Sequence, residues 1–258
     1  MHFTFYKYQG TGNDFVIIDN RQDIFSKNDT KLIAHLCDRK FGIGADGLIL
    51  LENHETLDFK MVYYNADGNQ SSMCGNGGRC LVHFAKFLGI ITSEAFFEAI
   101  DGTHHTTIHE DGIVSLKMNN VSDIQSNDGY IFLNTGSPHH ISLCDSLDTL
   151  DVQTEGSKLR YNLYGKEGAN INFVKPLKDN NFAVRTYERG VEAETLSCGT
   201  GVTAVALAMY HSGKTQAEEV VLHTPGGQLK VSFRKTDAGY NDIFLTGPAV
   251  QVFKGTWS

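Results

Sequence analysis

The feature that most constrains this chain is that it is written twice. Slid along itself by the spacing that carries Cys74 onto Cys198, the sequence places six glycines on glycines: Gly12 on Gly136, Gly44 on Gly168, Gly75 on Gly199, Gly77 on Gly201, Gly89 on Gly213 and Gly102 on Gly226. Random placement of 26 glycines would give roughly one or two such pairs at any one offset. Ala45 falls on Ala169 and Tyr63 on Tyr187 in the same register. Glycines mark turns in any α/β protein, which explains some of the pairs. It does not explain Cys-Gly-x-Gly recurring at that same spacing. The expected organisation is therefore two similar halves of domain size with a pseudo-twofold relation.

Local patterns agree with two matching halves. Runs rich in β-branched and aromatic residues, bounded by Gly, Asn and Asp, predict strands over 3–8, 15–18, 48–51, 59–64, 113–118, 130–133, 171–174, 182–187, 220–223, 229–233 and 243–246. Helices are fewer. Residues 30–39 place Leu32, Ile33, Leu36 and Cys37 on one face. Residues 76–88 carry Leu81, Phe84, Ala85 and Leu88 at helical spacing, with Gly89 suited to the C′ position. Residues 201–211 are apolar nearly all round, the mark of a buried central helix. The fold class is α/β (α+β): two pseudo-symmetric domains, each a curled β-sheet around a central buried helix. The N-terminal half is expected over 1–118, completed by 248–258, and the C-terminal half over 119–247, with the join in the polar stretch 118–128.

Composition removes several function classes. With 41% hydrophobic and 20% charged residues, the chain can bury a core and is not a disordered polymer. The net charge of -8, with no Lys/Arg cluster, argues against a nucleic-acid partner. Apolar runs fall well short of a membrane helix, and the first residues lack the pattern of a secretory leader, so a cytoplasmic location is expected. The five cysteines are too sparse for a disulfide framework, and no C-x2-C pair offers zinc ligands. Cys37 and Cys144 read as small buried hydrophobes.

Cys74 and Cys198 read differently, because each directly precedes a glycine-rich helix start: Cys74-Gly75-Asn76-Gly77-Gly78 and Cys198-Gly199-Thr200-Gly201. The first turn of a helix leaves amide N–H groups without partners and carries partial positive charge. A thiolate there is stabilised, so its pKa is expected below the usual value of about 8.5. The same amides can hold a carboxylate. Two such ends form a stereoinversion device: one thiolate removes an α-proton, and the other thiol delivers a proton to the opposite face. Preorganised donors stabilise the charge that grows on the carboxylate in the transition state.

Around these cysteines the sequence resembles the diaminopimelate epimerase family from end to end. The motifs are Gly10-Thr11-Gly12-Asn13-Asp14-Phe15; Asn65-Ala66-Asp67-Gly68 with Met73-Cys74-Gly75-Asn76-Gly77-Gly78-Arg79-Cys80; Ser137-Pro138-His139; Ala169-Asn170-Ile171-Asn172-Phe173; and Tyr187-Glu188-Arg189-Gly190, Glu194-Thr195 and Cys198-Gly199-Thr200-Gly201. The resemblance implies conversion of LL-2,6-diaminopimelate to the meso isomer, on the route to lysine and peptidoglycan. It implies no pyridoxal phosphate and no metal, a small-molecule substrate as the partner, and a homodimer. It also implies Cys74 as acid and Cys198 as base in one direction, with roles reversed in the other.

The resemblance assigns catalytic roles to Glu188 and His139 as well. Glu188 would accept hydrogen bonds from a substrate ammonium, as would Asn13. Arg189 would hold the distal carboxylate by its planar fork, with Asn65 and Asn170 adding amide contacts. Gly75, Asn76, Gly199 and Thr200 would offer backbone N–H groups to the reacting carboxylate. His139 would lie near a catalytic thiol. Many members carry Asn where this chain has Ser137, whose hydroxyl reaches less far. Many carry Gln where this chain has Gly47, so that contact is dropped.

From the residues alone, Asn13 and Asn65 also fit turns, Glu188-Arg189 a solvated charged pair, and His139 a surface position. Two other functional readings stand beside the epimerase one. The first is a relative of the same fold acting on another amino or imino acid. The second is a thiol redox or binding protein whose paired cysteines cycle to a disulfide.

Overall fold

The computed structural model describes residues 2–71 and 73–258, leaving Met1 and Ser72 aside. It resolves into two compact units, Met1–Leu116 with Gly247–Ser258, and Lys117–Thr246.

The first unit contains β1 (Phe3–Gly10), β2 (Asn13–Asp19), α1 (Thr30–Cys37), β3 (Gly47–Glu52), β4 (Phe59–Asn65), α2 (Gly75–Phe87), β5 (Glu94–Ala99), β6 (Gly102–Ile108), β7 (Val114–Lys117) and the C-terminal strand Val250–Trp257. That last strand pairs antiparallel with β1, and β1 with β2. β2 runs parallel to β3, β3 antiparallel to β4, and β4 parallel to β5. β6 and β7 close the run as antiparallel neighbours. The sheet curls around α2, which touches β1, β2, β3, β6 and the C-terminal strand. α1 packs on the other face, where Ile33, Leu36 and Cys37 join Val16, Ile18, Leu48 and Leu50. With both faces covered, β3 reads as an unbroken apolar run rather than an alternating one.

The second unit contains β8 (Ile124–Asn127), β9 (Tyr130–Asn134), β10 (Pro138–Leu143), α3 (Val152–Tyr164), β11 (Asn170–Pro176), β12 (Asn181–Glu188), β13 (Ala193–Thr195), α4 (Gly199–His211), β14 (Glu219–Thr224), β15 (Gly227–Thr236) and β16 (Gly239–Gly247). Its pairing repeats the first unit: β8, β9 and β10 antiparallel, β10 parallel to β11, β11 antiparallel to β12, β12 parallel to β14, then β15 and β16 antiparallel. β13 is an added short partner of β12. α4 lies in the curl, touching β9, β10, β11, β12, β14 and β15. Its Val202–Met209 stretch is buried throughout. The cysteine register carries α2 onto α4 end to end, and Gly89 (φ 73°) and Gly213 (φ 68°) end the two helices in the same left-handed conformation.

Several elements differ from the sequence expectation. α1 stops at Cys37 because Asp38 is extended and its carboxylate caps the amides of Lys40 and Phe41. α4 begins at Gly199, two residues before the expected start. Cys37 is buried as expected, whereas Cys144 is only partly so. α3 was not foreseen. It covers β11, β12 and β13 with a stripe of Val152, Gly156 and Arg160, two of which carry no hydrophobic signal. At Gly156 the helix lies so close to the sheet that a Cβ would meet Tyr187 Cβ at 2.3 Å. Replacing a helical glycine by alanine gains roughly 1 kcal/mol in propensity, but overpacking costs roughly 1–3 kcal/mol. Gly156→Ala is therefore expected to lower the urea midpoint. An unchanged or raised midpoint would contradict the close packing of α3.

Candidate active site

Each cysteine of interest is the residue before the first turn of its unit's central helix. Cys74 (φ -104°, ψ 119°) and Cys198 (φ -119°, ψ 112°) are both extended, and neither sulfur caps its helix. The first helical bonds are Gly78 N–H to the Cys74 carbonyl at 2.8 Å and Val202 N–H to the Cys198 carbonyl at 2.9 Å. The amides that precede these bonds have no acceptor within the helix. Glycine is required close by for space: a Cβ on Gly201 would sit 3.3 Å from Cys198 Sγ and 2.6 Å from Asn172 Oδ1. On Gly77 it would press into Ile49 Cδ1 at 3.0 Å.

In the first unit, Cys74 is half-buried and its thiol donates to Asn13 Oδ1 at 3.4 Å, which also accepts from Asn76 Nδ2 at 3.4 Å. Asn13 is held from behind, donating to Asp46 at 2.7 Å. Arg39 bridges Asp46 and Asp14, both at 2.7 Å, and Lys7 reaches Asp14 at 2.6 Å. Burial raises the Asp14 pKa, but hydrogen bonds from Arg39 and Lys7 outweigh it and hold the carboxyl at about 2. Cys74, Gly75, Asn76 and Asn13 are thus brought together. Asn65 lies at the exposed end of β4, where its carbonyl accepts from Gly68 N–H in a turn. At Gly47, the Tyr63 ring fills the space a side chain would take: a Cβ there would come 2.5 Å from Tyr63 Cε2.

In the second unit, Cys198 is buried and its sulfur lies 3.5 Å from Thr200 Oγ1. The Thr200 carbonyl accepts from Thr135 Oγ1 at 2.8 Å, which ties the turn holding Ser137 to the start of α4. His139 is fully buried, not a surface residue. Its Nδ1 faces Asn172 Nδ2 at 3.2 Å, and its Nε2 has no partner among the described residues. Burial, reinforced by the positive charge of Arg189, pushes His139 down to about 3, so the imidazole is neutral.

Asn170 spends one amide hydrogen on the Pro138 carbonyl and accepts from Arg189 N–H at 2.9 Å. It therefore positions the end of β12 besides any contact it makes with a ligand. There Glu188 accepts from Thr195 Oγ1 at 2.9 Å, and exposed Arg189 donates to the Glu167 carbonyl at 3.0 Å. Glu192 fastens the turn beyond them, accepting from Gly190 N–H, Tyr187 Oη and Arg160 Nε.

Two residues escaped sequence reasoning although they stand inside its motifs. Asn172 is fully buried, donates to the His140 carbonyl at 3.0 Å and accepts from Thr186 Oγ1 at 3.0 Å, so it links His139 to the floor beneath Gly201. Arg79 is fully buried under the start of α2. For Asn172 the signal is a polar residue between Ile171 and Phe173; Arg79, after Gly75-Asn76-Gly77-Gly78, gives none.

The family model for diaminopimelate epimerase matches residues 5–124 and 131–252. A diaminopimelate epimerase of Flavobacterium psychrophilum is 60% identical over 97% of this chain and 98% of its own length. That of Chlorobaculum tepidum is 44% identical over 96% and 98%. The chain belongs to the diaminopimelate epimerase family. Solved structures show how widely the fold of this epimerase-family chain is shared. A Bacillus anthracis phenazine biosynthesis protein of the PhzF family superposes with a TM-score of 0.81 at 14% identity, covering 100% of this chain and 99% of the other. A hydroxyproline epimerase of Agrobacterium vitis gives 0.69 at 12% identity, covering 99% and 92%.

The burial of His139 has a measurable consequence for this epimerase-family chain. The unfolded chain takes up a proton near pH 6.5, and the native imidazole refuses it down to about pH 3. Stability therefore falls as pH drops through that window. In ring-proton NMR, the His139 resonance should not titrate between pH 5 and 8. Titration near pH 6.5 would contradict its placement.

Proposed function

We propose that this protein is an isomerase that converts LL-2,6-diaminopimelate to meso-2,6-diaminopimelate by two-base proton transfer between Cys74 and Cys198. The observation that carries the mechanism is the equivalence of the two cysteines, each immediately before the glycine-rich first turn of a buried central helix. The 60% identity to a protein named diaminopimelate epimerase supports the substrate.

In one direction the Cys198 thiolate takes the α-proton, and the electron pair of the C–H bond moves into the substrate carboxylate. The Cys74 thiol then gives its proton to the opposite face, so the two sulfurs leave the turnover with protonation exchanged. The reverse reaction runs the roles backwards. Amides of Gly75, Asn76, Gly199 and Thr200 hold the carboxylate whose charge grows. Asn13 Oδ1, which receives the Cys74 thiol in the free protein, accepts from the substrate ammonium. At the distal end Glu188 takes an ammonium and Arg189 a carboxylate, with Asn65, Asn170 and Ser137 beside them. Neutral His139 acts on the thiol side without adding charge. The reading extends to a cytoplasmic homodimer that uses no cofactor, on the support of family resemblance.

The test offers LL-diaminopimelate, proline and hydroxyproline under fully reducing conditions. Turnover of diaminopimelate alone is expected. Cys74→Ser and Cys198→Ser should each lower kcat by at least about 10²-fold, the ordinary contribution of one acid or base. No turnover of diaminopimelate, or full activity with a single cysteine, would overturn the proposal.

A further inference from the structure

The two helix starts differ in one charged residue. The register that carries Cys74 onto Cys198 carries Arg79 onto Thr203. The Thr203 hydroxyl donates back to the Gly199 carbonyl at 3.0 Å, a neutral bond within one turn. Arg79 instead inserts a guanidinium, 0% exposed, at the equivalent place. It donates to Asn76 Oδ1 at 3.0 Å, Thr11 Oγ1 at 3.2 Å and the Gly75 carbonyl at 3.5 Å, all neutral acceptors. Its Nε has no partner among the described residues. β1 lies tightly against this helix start, since a Cβ on Gly10 would come 3.2 Å from the Asn76 carbonyl oxygen and 3.3 Å from Cys80 Sγ.

A buried cation with only neutral partners is costly, and a guanidinium does not shed its charge. Its position makes sense where a negative charge forms. Cys80, one residue on, is pushed up to about 12 by burial and stays a thiol. The charged groups nearest this helix end are otherwise matched: Lys7 and Arg39 close on Asp14 and Asp46, while Tyr8 pairs with His83 and Gln251 further along α2. Of the remaining elements against α2, His104 on β6 is held by Asp101, and Lys254 of the C-terminal strand lies over the Tyr6 ring.

Resting on the two-thiol reading above, we propose that Arg79 is a positioning residue that supplies fixed positive charge beneath the start of α2 and makes Cys74 the more acidic of the two thiols. On losing its proton Cys74 gives up its hydrogen bond to Asn13 Oδ1, and the enzyme with Cys74 as thiolate and Cys198 as thiol is poised for the direction in which Cys74 is the base.

The test is the pH dependence of iodoacetamide alkylation of the whole protein, read peptide by peptide by mass spectrometry. It needs no substrate, so its outcome is separate from that of the epimerase assay. Cys74 is expected to have a midpoint about one pH unit or more below that of Cys198. Arg79→Met should raise the Cys74 midpoint by a similar amount and leave that of Cys198 in place, and Arg79→Lys should restore most of the difference. Equal midpoints in the unaltered protein overturn the proposal even if the variants fail to fold. So does an Arg79→Met protein, folded by circular dichroism, in which the Cys74 midpoint is unmoved or both midpoints move together.

Discussion

Parallel neighbours in a sheet cannot be joined by a tight turn, so the chain between them must cross over. In each unit of this protein the crossover from one strand to its parallel neighbour, β4 to β5 and β12 to β14, is a helix held within the curl of the sheet. That constraint fixes much else. It surrounds most of the helix with side chains of the sheet. The first turn of each helix keeps backbone amides that have no acceptor within the helix. A cysteine set just before that turn is then held by backbone geometry, with no need for a capping bond of its own.

The surroundings of the two cysteines are not copies. Below Cys74 lie Asn13, Asn76, Thr11 and the buried guanidinium of Arg79. Below Cys198 lie Thr200, Asn172 and a neutral imidazole. A duplicated scaffold thus keeps its geometry while its electrostatics diverge. Such divergence suits a reaction in which two chemically identical groups must hold different protonation states at the same moment.

Much of this was legible in the sequence, because the repeat is carried by residues whose spacing is fixed by space and backbone shape. Gly77, Gly201, Gly89 and Gly213 mark places where a helix touches its sheet or ends. α4 declared itself by being apolar on every side. Part of what could not be read comes from burial achieved without hydrophobic periodicity. α3 meets the sheet through Gly156 and Arg160, β6 carries His104 and His105, and β10 opens Pro138-His139-His140. β5, β8, β13 and the C-terminal strand were likewise not expected. The last of these is exposed along much of its length, Val250, Val252 and Phe253 included, so no buried face marks it. Near the site, the motifs contained Asn172 and Arg79, but which neighbours satisfy a buried polar group depends on tertiary contacts that no spacing reveals.

In the proposed reaction two groups, each confined to one face of the α-carbon, move the proton. Epimerisation in D2O, followed from the first few per cent of conversion, tests it most directly. One deuterium is expected at the inverted carbon of the product while the remaining substrate stays unlabelled, since the base that removes a proton returns that same face its own proton. Deuterium appearing in recovered substrate as fast as in product, or product formed without deuterium, would contradict it.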